Sequence, residues 1–152
     1  SWSRCWTGWP DAWHPSPLVR SNLVSPPGPL EDPRFMDGAR RLAEAGLVLD
    51  VWAYQTQLAL VRAVARAVPE LTVVVDHCGG PLGVGPFAGR PAAGFAAWRA
   101  EVRALAELPN VAMKLGGLAM EVGGFAFHER AAPPSSAELA AAWRPHVETC
   151  IE

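Results

Sequence analysis

Lysine is nearly absent from the chain: of its 13 basic residues, Lys114 alone is not an arginine. Charge of either sign is sparse and unclustered, with 13 basic against 15 acidic residues and a formal net charge of -2. Without a basic stripe or block, neither nucleic acid nor an anionic membrane surface is the expected partner. Long hydrophobic runs are lacking too. Arg, Glu or Asp interrupts every apolar stretch well short of the roughly 20 residues that a membrane span needs. The opening residues do not pair a charged segment with an apolar one, so they do not read as a secretory signal. Cysteine is scarce: Cys5, Cys78 and Cys150 are odd in number and widely spaced. They form neither a disulfide framework nor a CxxC metal pair, and they predict a reducing, cytoplasmic setting.

What is present is apolar residue in quantity. With 152 residues, 50% of them hydrophobic, the chain can bury one real core. It opens on Ser1 rather than Met and stops just after an apolar face at Ile151, so both ends are expected to be cut. Residues 1–30 hold four of the seven tryptophans and six of the fifteen prolines. That much proline defeats both helical and strand periodicity, so residues 1–30 are expected to be an irregular arm. Residues 31–152 then form the domain.

From Asp32 the pattern becomes regular. Asp32 followed by Pro33 is an N-cap with proline at the first helical position, Phe35, Ala39 and Leu42 keep helical spacing, and Gly46 ends the helix. Leu47–Tyr54 reads as a strand. Leu58, Val61, Val64 or Ala65, and Val68 mark one face of a second helix, which stops at Pro69. Leu71–His77 is a nearly continuous apolar strand, as expected of a sheet covered on both faces. After a glycine- and proline-rich loop, Phe95, Trp98, Val102 and Leu105 define a third helix. Asn110–Gly117 is the third strand. A second long loop leads to Ser135 and Glu138, at capping-box spacing, and to a helix whose Leu139, Trp143, Val147 and Ile151 share a face. Strict alternation of helix and strand predicts parallel strands and an α/β fold.

Ligands of such folds bind beyond the carboxyl ends of the strands, here the segments at Tyr54–Gln57, His77–Arg90 and Lys114–Arg130. His77 ends the second strand directly before Cys78 and two glycines. Val73, Val75 and His77 share one strand parity and Asp76 has the other. If that first face is a barrel interior, the imidazole looks into its mouth, where it can ligate a metal, move a proton or hydrogen-bond a carbonyl oxygen. The competing reading is a histidine that satisfies a loop carbonyl. Lys114, inside an apolar strand, must reach water, an anionic substrate or a neighbouring acid such as Asp50 or Asp76. Tyr54 and Gln57 are candidate pocket contacts or surface caps. His128, beside Glu129 and Arg130, is a candidate contact or part of a solvated cluster. Cys78 as a nucleophile for His77 is set aside, because adjacent strand residues face opposite ways. A dinucleotide fingerprint also fails: Gly83 and Gly85 fit, but Gly89 falls one position late.

Three ordered segments, VVVDHCGGPLGVGPFAGR, PNVAMKLGGL and GFAFHERAAPPSS, resemble the amidohydrolase-related (amidohydrolase 2) family. The resemblance runs from about Asp32 to the end of the chain. It implies a (β/α)8 TIM barrel, of which this chain supplies three consecutive middle strands. It implies further that His77 matches the family's active-site histidine, that Tyr54 and Gln57 are pocket residues, and that Lys114 and His128 line the same mouth. The family's usual HxH pair is not found in this sequence, and the aspartate that activates water belongs to a later strand. A complete barrel takes roughly 250 residues, so the chain is expected to be a fragment. The expected substrate is a small molecule, a lactone or similar cyclic ester opened by activated water. The alternatives are a metal-dependent decarboxylase of the same superfamily and a catalytically inert truncated piece. Members of the family differ in their use of a divalent metal such as zinc, so the resemblance leaves that cofactor open.

Overall fold

Three short parallel strands and four helices alternate along the chain, in a computed structural model that describes residues 29–152. The expected arm over residues 1–30 lies almost wholly outside the described residues. Helix α1 (Pro33–Glu44) starts as its sequence predicts: the Asp32 carboxylate accepts from the Arg34 N–H at 2.9 Å, and Pro33 takes the first position. It gives way at Gly46, which takes the left-handed φ of +64°. Strand β1 (Leu49–Val51) leads through a 3-10 turn to α2 (Leu58–Ala67), then come β2 (Val73–Val75), α3 (Pro91–Ala106), β3 (Val111–Met113) and α4 (Ser136–Ile151). The strands are shorter than the apolar runs that announce them. Those runs continue into the turns at either end.

The sheet order is β1-β2-β3, with Leu49 opposite Val73 and Val73 opposite Val111. All three strands therefore end at one edge, and the two long loops leave from that edge. Alternation along the strands separates two faces. Leu49, Val51, Val73 and Val75 are buried, in one core with Leu58, Val61 and Val64 of α2 and Trp98, Val102 and Leu105 of α3. The opposite face carries Asp50, Val74 and Ala112, of which Asp50 and Ala112 are exposed. The expectation of a sheet covered on both faces is thus corrected: among the described residues, helices cover one face only. Helices to one side of consecutively ordered parallel strands are what a barrel wall has, whereas a doubly wound sheet is covered on both sides.

Helix α4 also departs from its expected face. Ile151 is 66% exposed, while Trp143, Val147 and Cys150 pack against the core and Thr149 is buried. The stripe drifts around the helix by way of His146, whose ring meets Phe95 and Trp98 of α3 at centroid distances of 5.0 and 4.8 Å.

Candidate functional site

The end of β2 is a tight backbone knot. The Asp76 N–H donates to Val51 O at 2.9 Å, Lys114 N–H to Val75 O at 2.9 Å and Cys78 N–H to Lys114 O at 2.9 Å, which stitches three strand ends together. His77 and Cys78 both take positive φ, 56° and 54°. Two successive side-chain-bearing residues in the left-handed region are costly, and such strain concentrates at functional sites. Packed glycines hold the turn. A Cβ on Gly80 would stand 2.3 Å from Ala53 O, and one on Gly117 would stand 2.5 Å from the His77 Cβ. Backbone therefore presses on backbone at one point and on the imidazole at the other.

This geometry corrects the parity argument for His77. Val73 and Val75 face the helices, so an unbroken strand would send the imidazole into the helix layer. The strand instead ends at Val75, and the left-handed turn releases His77 from that alternation. Its ring meets Trp52 edge-on at 6.0 Å, and Trp52 in turn lies 5.6 Å from Tyr54. Trp52 shares parity with Asp50, the open-face residue of β1. His77, Trp52 and Tyr54 thus form an aromatic row across the ends of β1 and β2. The Trp52 indole N–H is enclosed and has no hydrogen-bond partner.

Lys114 resolves toward its acids. Its ammonium lies 2.9 Å from Asp76 Oδ1 and 3.0 Å from Asp50 Oδ1. The Asp76 side chain is only 10% exposed, and its enclosed Oδ1 is compensated by that charge rather than by a directed hydrogen bond. The Asp76 carboxylate and then the Asp50 carboxylate push the lysine above its ordinary pKa. The ammonium itself stays half-exposed. Gln57 caps its own turn, its Oε1 accepting the Tyr54 N–H at 3.1 Å. His128 sits in a 3-10 turn of the second long loop, with Nε2 at 3.7 Å from Glu129 and 4.0 Å from Glu121. Tyr54, His77 and Lys114 thus gather at the strand ends, while the contacts of His128 are with carboxylates of its own loop.

A second feature escaped the sequence. A cavity of about 310 Å³ opens between the two long loops and α4, lined by Gln55, Leu82, Phe87, Phe95, Phe125 and His146 among others. None of the five sequence-predicted site residues lines it. Gln55 is buried and ties the walls together, accepting the Leu82 N–H at 2.8 Å and donating to Gly94 O at 3.4 Å. Burial holds the His146 imidazole below its ordinary pKa, which favours the neutral ring at pH 7. Sequence spacing did not single out His146, which lies between Trp143 and Val147 and gains its neighbours only where α3 stands beside α4.

The described residues contain no group of three or more His, Cys, Asp or Glu able to hold a metal ion. They include no helix long and apolar enough to cross a membrane.

Comparison with known proteins agrees with this arrangement. The amidohydrolase family model (Amidohydro_2) matches residues 17–152. The chain is 36% identical over 92 residues to an L-fucono-1,5-lactonase of Burkholderia multivorans, and 33% identical over 88 residues to an uncharacterized protein, y4mH, of Sinorhizobium fredii. These alignments cover 60% and 58% of this chain but only 30% and 27% of those proteins. Two crystal structures of an amidohydrolase from Burkholderia multivorans, one with bound zinc and one with bound HEPES, superpose with TM-scores of 0.64 and 0.65 at 26% and 27% identity. In each case 80% of this chain is covered and 39% of the other. The chain therefore spans about a third of the length of the proteins it matches.

Proposed function

The chain belongs to the amidohydrolase family, and from that premise we propose that it forms part of the active-site mouth of a hydrolase that opens a lactone or similar cyclic ester. The observation that carries the reading is His77: an imidazole at the carboxyl end of the central strand, freed from strand alternation by a left-handed turn and set against Trp52. The likeness to a lactonase over 60% of the chain supports the substrate class.

Opening a lactone by water places negative charge on the carbonyl oxygen as the tetrahedral intermediate forms, so the site must hold donors where that charge develops. His77 is the first such donor. Lys114 is held by ion pairs with Asp50 and Asp76, and its ammonium, with three N–H donors, can also turn to a substrate oxygen on the open face. Tyr54 and Gln57 shape the wall beside it, and His128 borders the mouth from the second long loop. A small-molecule substrate is the partner this site suits. Since the described residues do not by themselves make a metal site, no step is assigned to zinc.

The test is lactone opening by the protein that carries this chain, followed as acid release from a 1,5-lactone of a sugar acid. His77→Asn is expected to lower kcat/KM by about 10²–10⁴, the range for removal of a positioned acid–base or hydrogen-bonding group. Unchanged kcat/KM in a folded His77→Asn protein would remove the reading. The chain of residues 1–152 alone is expected to show no hydrolysis above background, because three strands do not close a barrel.

A further inference from the structure

The turn that carries His77 is held by hydrogen bonds at both ends of two successive peptide planes. In the plane between His77 and Cys78, the carbonyl accepts the Gly80 N–H at 3.0 Å and the N–H donates to Lys114 O at 2.9 Å. In the plane between Cys78 and Gly79, the N–H donates to Asp76 O at 3.1 Å and the carbonyl accepts the Trp98 indole N–H at 2.7 Å. Three of these four partners are backbone groups of the strand ends and of the turn itself. The fourth is a side chain of α3, and it is fully buried. Phe95 and His146 close on the Trp98 ring at centroid distances of 5.4 and 4.8 Å and hold it in place.

A buried carbonyl must find a donor. Cys78, itself fully buried, stands at a φ of +54° directly after His77 at +56°, a pair of left-handed residues that an isolated chain would not keep. Rotating the plane after Cys78 would relieve that conformation, but it would take the carbonyl off the indole and the N–H off Asp76 O. We infer that Trp98 is a positioning residue for His77: its indole N–H holds the Cys78 carbonyl and so keeps the left-handed turn that sets the imidazole against Trp52. It acts through the backbone, from the helix layer where it shares the core with Val102 and Leu105. A phenylalanine in its place fills much of the same space but lacks the donor, and it leaves the Cys78 oxygen enclosed without a partner. This role rests on the reading of His77 as an acting group of the mouth.

The test compares Trp98→Phe with Phe95→Leu in the protein that carries this chain. Phe95→Leu loosens the packing on the Trp98 ring but leaves the indole N–H in place. The first readout is the NMR spectrum of isotope-labelled histidine, in which the His77 signal is identified by its loss in His77→Asn. That signal is expected to move in Trp98→Phe and to stay in place in Phe95→Leu. The second readout is lactone opening. Trp98→Phe is expected to lower kcat by about 10–10², the scale of misplacing a reacting group by about 1 Å, with KM changed by less than about twofold. In a His77→Asn background the same substitution should change kcat by less than about twofold, because the group it positions is gone. A His77 signal that stays in place in folded Trp98→Phe would overturn the assignment, as would one that moves equally in Phe95→Leu. So would an equal loss of kcat with and without His77. If Trp98→Phe does not fold, the unsubstituted protein answers: its Trp98 indole N–H should exchange with solvent as slowly as the β2 amides, and exchange as fast as that of an exposed indole overturns the assignment. If His77→Asn itself leaves lactone opening unchanged, the proposed reaction fails, while the histidine signal still decides whether Trp98 sets the turn.

Discussion

At Lys114 a single ammonium serves two carboxylates, and the consequences of removing it differ for the two. Asp50 is half-exposed and can turn to water, but Asp76 cannot, being only 10% exposed. Lys114→Gln should cost about 1–2 kcal/mol, between the roughly 0.5 kcal/mol of an exposed pair and the 3–5 kcal/mol of a broken buried one, because solvent reaches the ammonium. Urea denaturation at pH 7 measures it. The pH dependence has a definite sign. The folded state raises the lysine pKa above its ordinary 10.5, so the pair's contribution is fully present below that value and is lost as pH rises through the folded value. Wild-type stability should fall above about pH 10.5 by more than that of Lys114→Gln. A second prediction concerns Gly80, where φ is +54° and a Cβ would meet Ala53 O at 2.3 Å. Neither backbone can yield, so Gly80→Ala should lower stability by more than the roughly 1 kcal/mol that a left-handed alanine costs, as read from the urea midpoint. Sequence made Lys114 legible as a choice between substrate and neighbouring acids, since a cation inside an apolar strand must find one of them. It could not give the direction of His77. Strand parity is a rule for extended backbone, and it lapses at a residue whose φ is positive.

Among the elements, the helices were the most legible, because their ends are written in local chemistry. The start of α4 is the clearest case. Ser135 Oγ accepts the Glu138 N–H at 3.3 Å, and Glu138 accepts from the Ser135 N–H and hydroxyl, both at 2.8 Å. The backbone N–H of Ser135 leads the causes that lower the Glu138 carboxyl to about 2, with the Ser135 hydroxyl and Arg130 adding to it. A depressed folded pKa means stability that is present above the ordinary value of 4.5 and lost as pH falls toward 2. The start of α4 should therefore fray in that window before the core does. Hydrogen exchange of the first-turn amides measures it, and Glu138→Gln should show the loosened exchange already at pH 6. Strands were less legible in extent. Apolar runs such as Leu71–Val75 continue past the hydrogen-bonded residues because core contact, not strand pairing, demands them. The stripe of α4 was misjudged at Ile151 for a related reason: helical spacing selects a face but does not say where the neighbouring helix stops.

For the molecule as a whole, the decisive asymmetry is that one face of the sheet is closed by helices and the other carries Asp50, Val74 and Ala112. Periodicity suggested the alternation and hence the parallel strands. It could not foresee the one-sided cover, because that depends on which elements stand beside the sheet. Apolar residues that flank the strands are exposed as well: Leu47 is 49% exposed, Val48 42% and Leu115 50%. Among the described residues, β1 and β3 each also lack an outer neighbour in the sheet, and unpaired strand edges invite pairing with other chains. The 152-residue chain is therefore expected to self-associate, with a weight-average mass in sedimentation that rises with concentration. Charge at the margin is the natural obstacle to such pairing, and Leu115 directly follows Lys114 at the end of β3. Leu115→Glu should reduce association while leaving the urea midpoint nearly unchanged, because a half-exposed side chain contributes little burial to lose. Undiminished association in that variant would locate the contact away from the end of β3.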